Sequence, residues 1–218
     1  MPCSLVVFDL DGTLIDSAPD LAAAVNAMLA HFGAAPLALA EVRGMIGEGM
    51  ALLVARALAA RGREGVDAEQ ARRVFLERYT TESTCRTVLY PGVRSALETL
   101  RADGVTLAVC TNKPESLALG ILERLRLARY FAQCLGGDSL PFRKPDPRML
   151  LTILKAHGTA ATEALLVGDS EIDAATAREA GVPFVLMTHG YRRGPIEDMV
   201  CAVALERFDE LPAFVRRA

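Results

Sequence analysis

The chain has 218 residues, 51% hydrophobic and 23% charged, with a formal charge of -3. This is a globular composition, and it lacks the basic stripe that a nucleic-acid binder needs to displace counterions from phosphates, so nucleic acid is excluded as the main partner. No run approaches the roughly 20 apolar residues needed to cross a bilayer, so a soluble protein is expected, long enough for one compact unit or a core carrying a smaller insert.

The five cysteines, Cys3, Cys85, Cys110, Cys134 and Cys201, are odd in number and scattered, with no C-x-x-C pair. That suits reduced thiols better than a disulfide frame or a zinc site. The opening "MPCSLVVF" has no basic start and reaches Asp9 and Asp11 before a signal segment can form, so the expected compartment is the cytoplasm.

The segment "VVFDLDGTLIDS", Val6 to Ser17, begins as a strand and then places Asp9 and Asp11 two positions apart. On an extended chain both point to one side, where they repel unless a cation or a shared proton intervenes. From about Ala18 to Arg86 there is no convincing strand, and "APDLAAAVNAMLAHFG", "GMALLVARALAARG" and "DAEQARRVFLERYTTES" read as helices. An all-helical insert therefore leaves the sheet after its first strand and returns near "YPGV", Tyr90 to Val93.

Strand and helix then alternate. The strands are "GVTLAVCTN", a weaker "QCLGGDS", "ALLVGDS" and "GVPFVLMTHG"; the helices are "GVRSALETLRADG", "PESLALGILERLRL", "DPRMLLTILKAHG" and "SEIDAATAREAG". The strong strand runs are nearly continuous rather than alternating, as in a parallel sheet covered on both faces. Several helices carry Pro in the first turn or Gly after the last. The pattern predicts a doubly wound α/β core, a Rossmann-like parallel sheet, with an inserted small all-α domain. The expected division is 1–16 and 87–218 for the core and 17–86 for the insert.

Ligands of open parallel sheets sit beyond the carboxyl ends of the strands. There the sequence places Asp9 and Asp11, then Thr111 and Asn112, then Asp169 and Asp173, with Lys144 in the loop "FRKPDP". Four carboxylates against the single ammonium of Lys144 are unfavourable in a poorly solvated cleft, and a divalent cation resolves this. An all-oxygen set favours a hard ion, and Mg²⁺ is commonly shared with a substrate phosphate. Thr111, Asn112 and Lys144 supply a hydroxyl, an amide and a cation for phosphate oxygens.

In order, "DLDGTLIDS", Thr111 with Asn112, Lys144 with Pro145, and "GDSEID" resemble the four motifs of the haloacid dehalogenase superfamily of aspartate-nucleophile phosphatases, across essentially the whole chain. The helical insert resembles that superfamily's small cap. "VRGMIGEGMALLVARAL" and "THGYRRGPIE" are similar to its phosphoglycolate phosphatase group. The resemblance implies that Asp9 is the nucleophile and that Asp11 is the acid and base, with its backbone carbonyl on Mg²⁺. Asp9 and Asp169 are implied as side-chain ligands, and Asp173 as holding the ion directly or through water. Gly12, Thr111, Asn112 and Lys144 bind the phosphoryl group, and Lys144 also pairs with Asp9. The implied activity is a Mg²⁺-dependent phosphomonoesterase acting on a small phosphorylated metabolite, 2-phosphoglycolate first, in a monomer or homodimer. Another sugar or metabolite phosphate, a phosphomutase, and a non-catalytic phosphate or metal binder stay open. Dehalogenation needs neither a metal nor an acid two residues on, so Asp11 and Asp169 count against it.

Other residues have plainer readings beside the functional ones. Asp16 and Ser170 read as helix starts, and Glu171 as a charge favoured at a helix N-terminus. Lys144 as a solvated loop lysine is disfavoured by the charge count. His31, His157 and His189 share no motif, and only His189 falls at a strand's carboxyl end. Arg43 offers a guanidinium for a substrate carboxylate, on a loop made adaptable by Gly44, Gly47 and Gly49; an ordinary solvated arginine weighs as much. Tyr191 and Arg192 are further cleft candidates.

Overall fold

The computed structural model describes residues 3–82 and 86–217. Cys85 and Ser83, the last residue of the third helix read in the insert, lie outside the described residues.

In chain order the elements are β1 (Leu5–Phe8), β2 (Ile15–Asp16), α1 (Ala18–His31), α2 (Leu39–Arg43), α3 (Met50–Ala59), α4 (Ala68–Glu82), β3 (Val88–Leu89), α5 (Val93–Ala102), β4 (Thr106–Cys110) and α6 (Glu115–Arg124). There follow β5 (Gln133–Leu135), α7 (Arg148–His157), β6 (Ala164–Gly168), α8 (Glu171–Ala180), β7 (Phe184–Met187), β8 (Val203–Leu205) and α9 (Leu211–Val215). Six strands form one sheet in the order β5-β4-β1-β6-β7-β8, every neighbour parallel.

β1 lies in the middle, and its four residues are fully buried. Val6 and Phe8 face a cluster with Leu97, Leu100, Val109 and Phe208. Leu5 and Val7 face the opposite cluster, with Cys110, Ile153, Leu166 and Ala177. Coverage of both faces is why the run is continuously apolar, and each such side chain contributes about 1.5–3 kcal/mol.

α1 packs against α2, α3 and α4, and α3 against α4. Together they enclose their own apolar cluster, which includes Val25, Met28, Val54, Phe75 and Tyr79, and which Tyr191 joins from the loop after β7. Buried Asp20, in the first turn of α1, accepts hydrogen bonds from the Thr87 backbone N–H at 2.8 Å and its hydroxyl at 2.6 Å. It thereby ties the outgoing chain to the returning one. Ile15 and Asp16 pair antiparallel with Leu89 and Val88 at the same crossing.

The β2–β3 ribbon, β8, α2 and α9 have no counterpart in the expected elements. Two to five residues are too few to show a hydrophobic period, and β8 is a half-exposed edge strand. Cys3, Cys110, Cys134 and Cys201 are free thiols. Burial pushes Cys3 up to about 11 and Cys110 and Cys134 to about 12, which keeps them protonated and unreactive. No helix among the described residues is long and apolar enough to cross a membrane.

Candidate active site

The site is built at the carboxyl edge of β1, β4 and β6. The Asp9 backbone N–H continues the ladder by donating to Val167 O at 2.9 Å. The chain then turns at Gly12, whose φ is +88 and where a Cβ would come 2.4 Å from Asp169 Oδ2. This close approach lets Thr13 donate to Asp169 Oδ1 at 2.6 Å. From the other side the Tyr191 backbone N–H donates to Asp169 Oδ2 at 2.7 Å, so loops after β1 and β7 fix one carboxylate between them.

Asp9, Asp169 and Asp173 bring carboxylate oxygens within 4.8 Å of one another, all three residues being buried. Lys144 lies against them, 2 % exposed. Its Nζ donates to Asp173 Oδ1 at 2.6 Å and stands 2.9 Å from Asp9 Oδ1. The latter is an ion pair outside hydrogen-bond geometry, so Asp9 Oδ1 is buried without a donor. Asp173 Oδ2 accepts from the Ser170 hydroxyl at 2.6 Å and its N–H at 3.2 Å, while Ser170 caps α8.

Burial pushes the Asp9 carboxyl up to about 6, against the pull of Lys144 and with the help of Asp173. Burial and then the charges of Asp173 and Asp9 hold Asp169 well above the carboxylate range. Burial would depress Lys144, but Asp173 and Asp9 outweigh it and keep the ammonium charged. An oxygen-only set of three buried carboxylates, one of whose oxygens accepts no hydrogen bond, fits a hard divalent cation.

The Asp11 carboxylate is not part of that group. It accepts from Lys113 Nζ at 3.0 Å on each oxygen, and from the Ser17 hydroxyl. Lys113 is 7 % exposed and stands 4.9 Å over the Tyr79 ring. This corrects the sequence count of charges, which set Lys144 alone against the four carboxylates: Lys113, one residue past Asn112, is a second buried ammonium. Thr111 is buried, with its N–H bonded to Leu135 O at 3.0 Å and its hydroxyl accepting from the Lys113 N–H at 3.3 Å. The Asn112 amide donates at 3.0 Å both to Gly47 O and to Lys144 O. It joins the β4 loop to the insert and to the Lys144 loop.

A cavity opens over Asp9, Asp11, Thr111, Asn112 and Lys113, with α1, α3, α4 and the 46–49 loop as its other wall. Arg43 is not among its lining; it pairs with Asp16 Oδ2 at 2.8 Å. Asp16 Oδ1 accepts from Ala18 N–H at 3.2 Å, as a helix start should, and also from the Tyr191 hydroxyl at 2.8 Å. Glu171 does more than complement a helix end, since its carboxylate accepts from Arg193 N–H at 2.8 Å and Gly194 N–H at 2.6 Å. Arg193 in turn reaches the 44–48 loop, donating to Gly44 O at 2.8 Å and Ile46 O at 3.2 Å and pairing with Glu48 at 2.8 Å. His189 lies outside the cavity lining, its Nε2 3.2 Å from Thr13 O and its ring 3.9 Å from that of Tyr90. Arg192 bonds Thr188 O.

Residues 6–187 match the model of the haloacid dehalogenase-like hydrolase family. A phosphoglycolate phosphatase of Cereibacter sphaeroides is 46% identical over 217 residues, 97% of each chain. Phosphoglycolate phosphatase 1 of Pseudomonas aeruginosa is 43% identical over 212 residues, covering 95% of this chain and 78% of the relative. Among solved structures, a predicted phosphoglycolate phosphatase from Haemophilus somnus superposes with a TM-score of 0.92 at 32% identity, over 97% of both chains. A sheet of this order, carboxylates at the ends of its central strands and a match across most of the sequence agree on one conclusion: the chain belongs to the haloacid dehalogenase-like hydrolase family.

Proposed function

We propose that the chain is a Mg²⁺-dependent phosphomonoesterase that converts 2-phosphoglycolate to glycolate and inorganic phosphate, with residues 17–86 acting as a cap over a core of 1–16 and 87–218. The observation that carries this reading is the convergence of Asp169, Asp173 and Lys144 on Asp9, which itself lines the cavity. The names of the relatives supply the substrate.

Asp9, Asp169 and Asp173, with the backbone carbonyl of Asp11, are the groups to hold Mg²⁺, which when bound supplies charge neutralisation for the phosphoryl oxygens. An Asp9 oxygen attacks phosphorus and the bond to the ester oxygen breaks, leaving an aspartyl-phosphate. Asp11 gives its proton to the departing alkoxide. It then takes a proton from water, whose oxygen attacks phosphorus, breaks the bond to Asp9 and frees phosphate. Thr111, Asn112 and Lys144 hold the equatorial oxygens, where phosphoryl-transfer catalysis mostly resides. Gly12 serves by keeping the Asp169 carboxylate close.

Phosphate release from 2-phosphoglycolate with Mg²⁺, in chelator, and by Asp9→Asn tests the reading. The expected outcome is loss of activity in chelator and a fall of at least ~10³-fold in the variant. An active Asp9→Asn protein refutes the nucleophile.

A further inference from the structure

Beyond the phosphoryl end, the cavity wall is made by Leu21, Ile46, Met50, Leu53, Phe75 and Leu117. Their side chains offer no hydrogen bond, so a substrate rich in hydroxyls would leave those groups unpartnered. Polar side-chain atoms near the leaving-group position are concentrated instead at Lys113 and Tyr79. The Tyr79 hydroxyl is buried with no hydrogen-bond partner, on a residue only 1% exposed. Buried polar atoms in folded proteins are normally satisfied, which makes a donor left free at a cavity wall suited to a ligand. Lys113 carries three N–H donors and addresses two Asp11 oxygens, at 3.0 Å each.

We propose that Lys113, with the Tyr79 hydroxyl beside it, binds the carboxylate of the substrate, which makes the substrate class phosphate esters of short α-hydroxy acids. This rests on the role proposed above for Asp11. In such an ester the carboxylate sits on the carbon that carries the ester oxygen. It therefore lies next to the atom that Asp11 protonates, and within reach of the ammonium that Asp11 holds. Arg43 has no part in this contact, being paired with Asp16 and absent from the cavity wall.

Steady-state kinetics of the full chain with Mg²⁺ on 2-phosphoglycolate, its carboxyl methyl ester and glycerol 3-phosphate test the assignment. A charged hydrogen bond of this kind gives a preference of roughly 10- to 100-fold in kcat/KM for the free acid over either uncharged leaving group. In Lys113→Met that preference collapses to within a few-fold, mostly through a higher KM for the acid, and Lys113→Arg recovers part of it. Tyr79→Phe, which keeps the ring and removes one donor, lowers the preference about 3- to 10-fold. Equal hydrolysis of acid and methyl ester by the wild-type chain overturns the proposal while leaving the phosphatase intact. So does an equal loss on all three esters in Lys113→Met. A wild-type chain that releases phosphate from none of them refutes the phosphatase reading, and the carboxylate site with it.

Discussion

Replacing Lys144 by methionine keeps the aliphatic stem and removes the charge that two buried carboxylates face. Nζ lies 2.6 Å from Asp173 and 2.9 Å from Asp9. At an effective dielectric constant of about 20, each attraction is on the order of 6 kcal/mol. Desolvation of the ammonium offsets most of the sum, and removing one partner of a buried pair typically costs about 3–5 kcal/mol. Against a total stability of about 5–15 kcal/mol, that loss is large. Urea unfolding followed by circular dichroism, in chelator and again with Mg²⁺, measures it. In chelator the Lys144→Met midpoint should fall by an amount equivalent to about 3–5 kcal/mol. Mg²⁺ should restore more stability to the variant than to the wild-type chain, because a cation then replaces the missing charge. A variant within about 1 kcal/mol of wild type in chelator would show that the pairing contributes nothing net, as exposed pairs often do, and would refute the charge argument.

The remaining predictions use the same balance and the contacts above it. Because Asp9 is pushed up to about 6 in the folded chain, that chain binds more protons than the unfolded one between the ordinary carboxylate value and 6. Without metal, stability should therefore decline as pH rises from about 4 to about 7, with Asp9 contributing on the order of 3 kcal/mol and Asp169, also held high, adding to the fall. Asp9→Asn should reduce that slope, and an unchanged slope in the variant would assign it to another group. Arg193→Ala removes three contacts between the loop after β7 and the 44–48 loop. It should raise KM about 10-fold with a smaller effect on kcat and little change in melting temperature, since the side chain is exposed. An unchanged KM would show that the insert is held without it.

The central elements were legible because each carries a strong local signal. β1, β4, β6 and β7 are buried on both faces and read as continuous apolar runs, and Asp9, Thr111 and Asp169 stand where each of the first three ends. β5 was weaker because, as an edge strand, its residues Gln133 to Leu135 are only half buried. The β2–β3 ribbon was invisible, since a pair of two-residue strands becomes a ribbon only when distant stretches of chain are pinned together, as Asp20 pins Thr87 67 positions on. The site partners that escaped notice act across long separations: Lys113 on Asp11, Thr13 on Asp169, Glu171 on the Arg193 backbone. None of these has a periodicity, and each residue type is common on solvated surfaces. Lys113 alone left a trace, because the carboxylates predicted at the strand ends outnumbered the single lysine assigned to them.

That imbalance explains why the two opening aspartates do not share one environment. Asp9 turns inward to Asp169, Asp173 and Lys144, while Asp11 turns to Lys113 and Ser17. Four carboxylates and two ammoniums leave a deficit of two charges in a poorly solvated crevice, which is the charge of one divalent cation. Without it, burial first and then the neighbouring carboxylate charges displace Asp9 and Asp169 upward, so that the cluster holds protons more readily. A bound divalent cation would make the crevice neutral, and on the proposed function a neutral crevice admits an anionic ester that a doubly negative one would repel. Two lysines rather than one also divide the labour. Lys144 is held between Asp9 and Asp173, whereas Lys113 is held by Asp11 at the cavity wall.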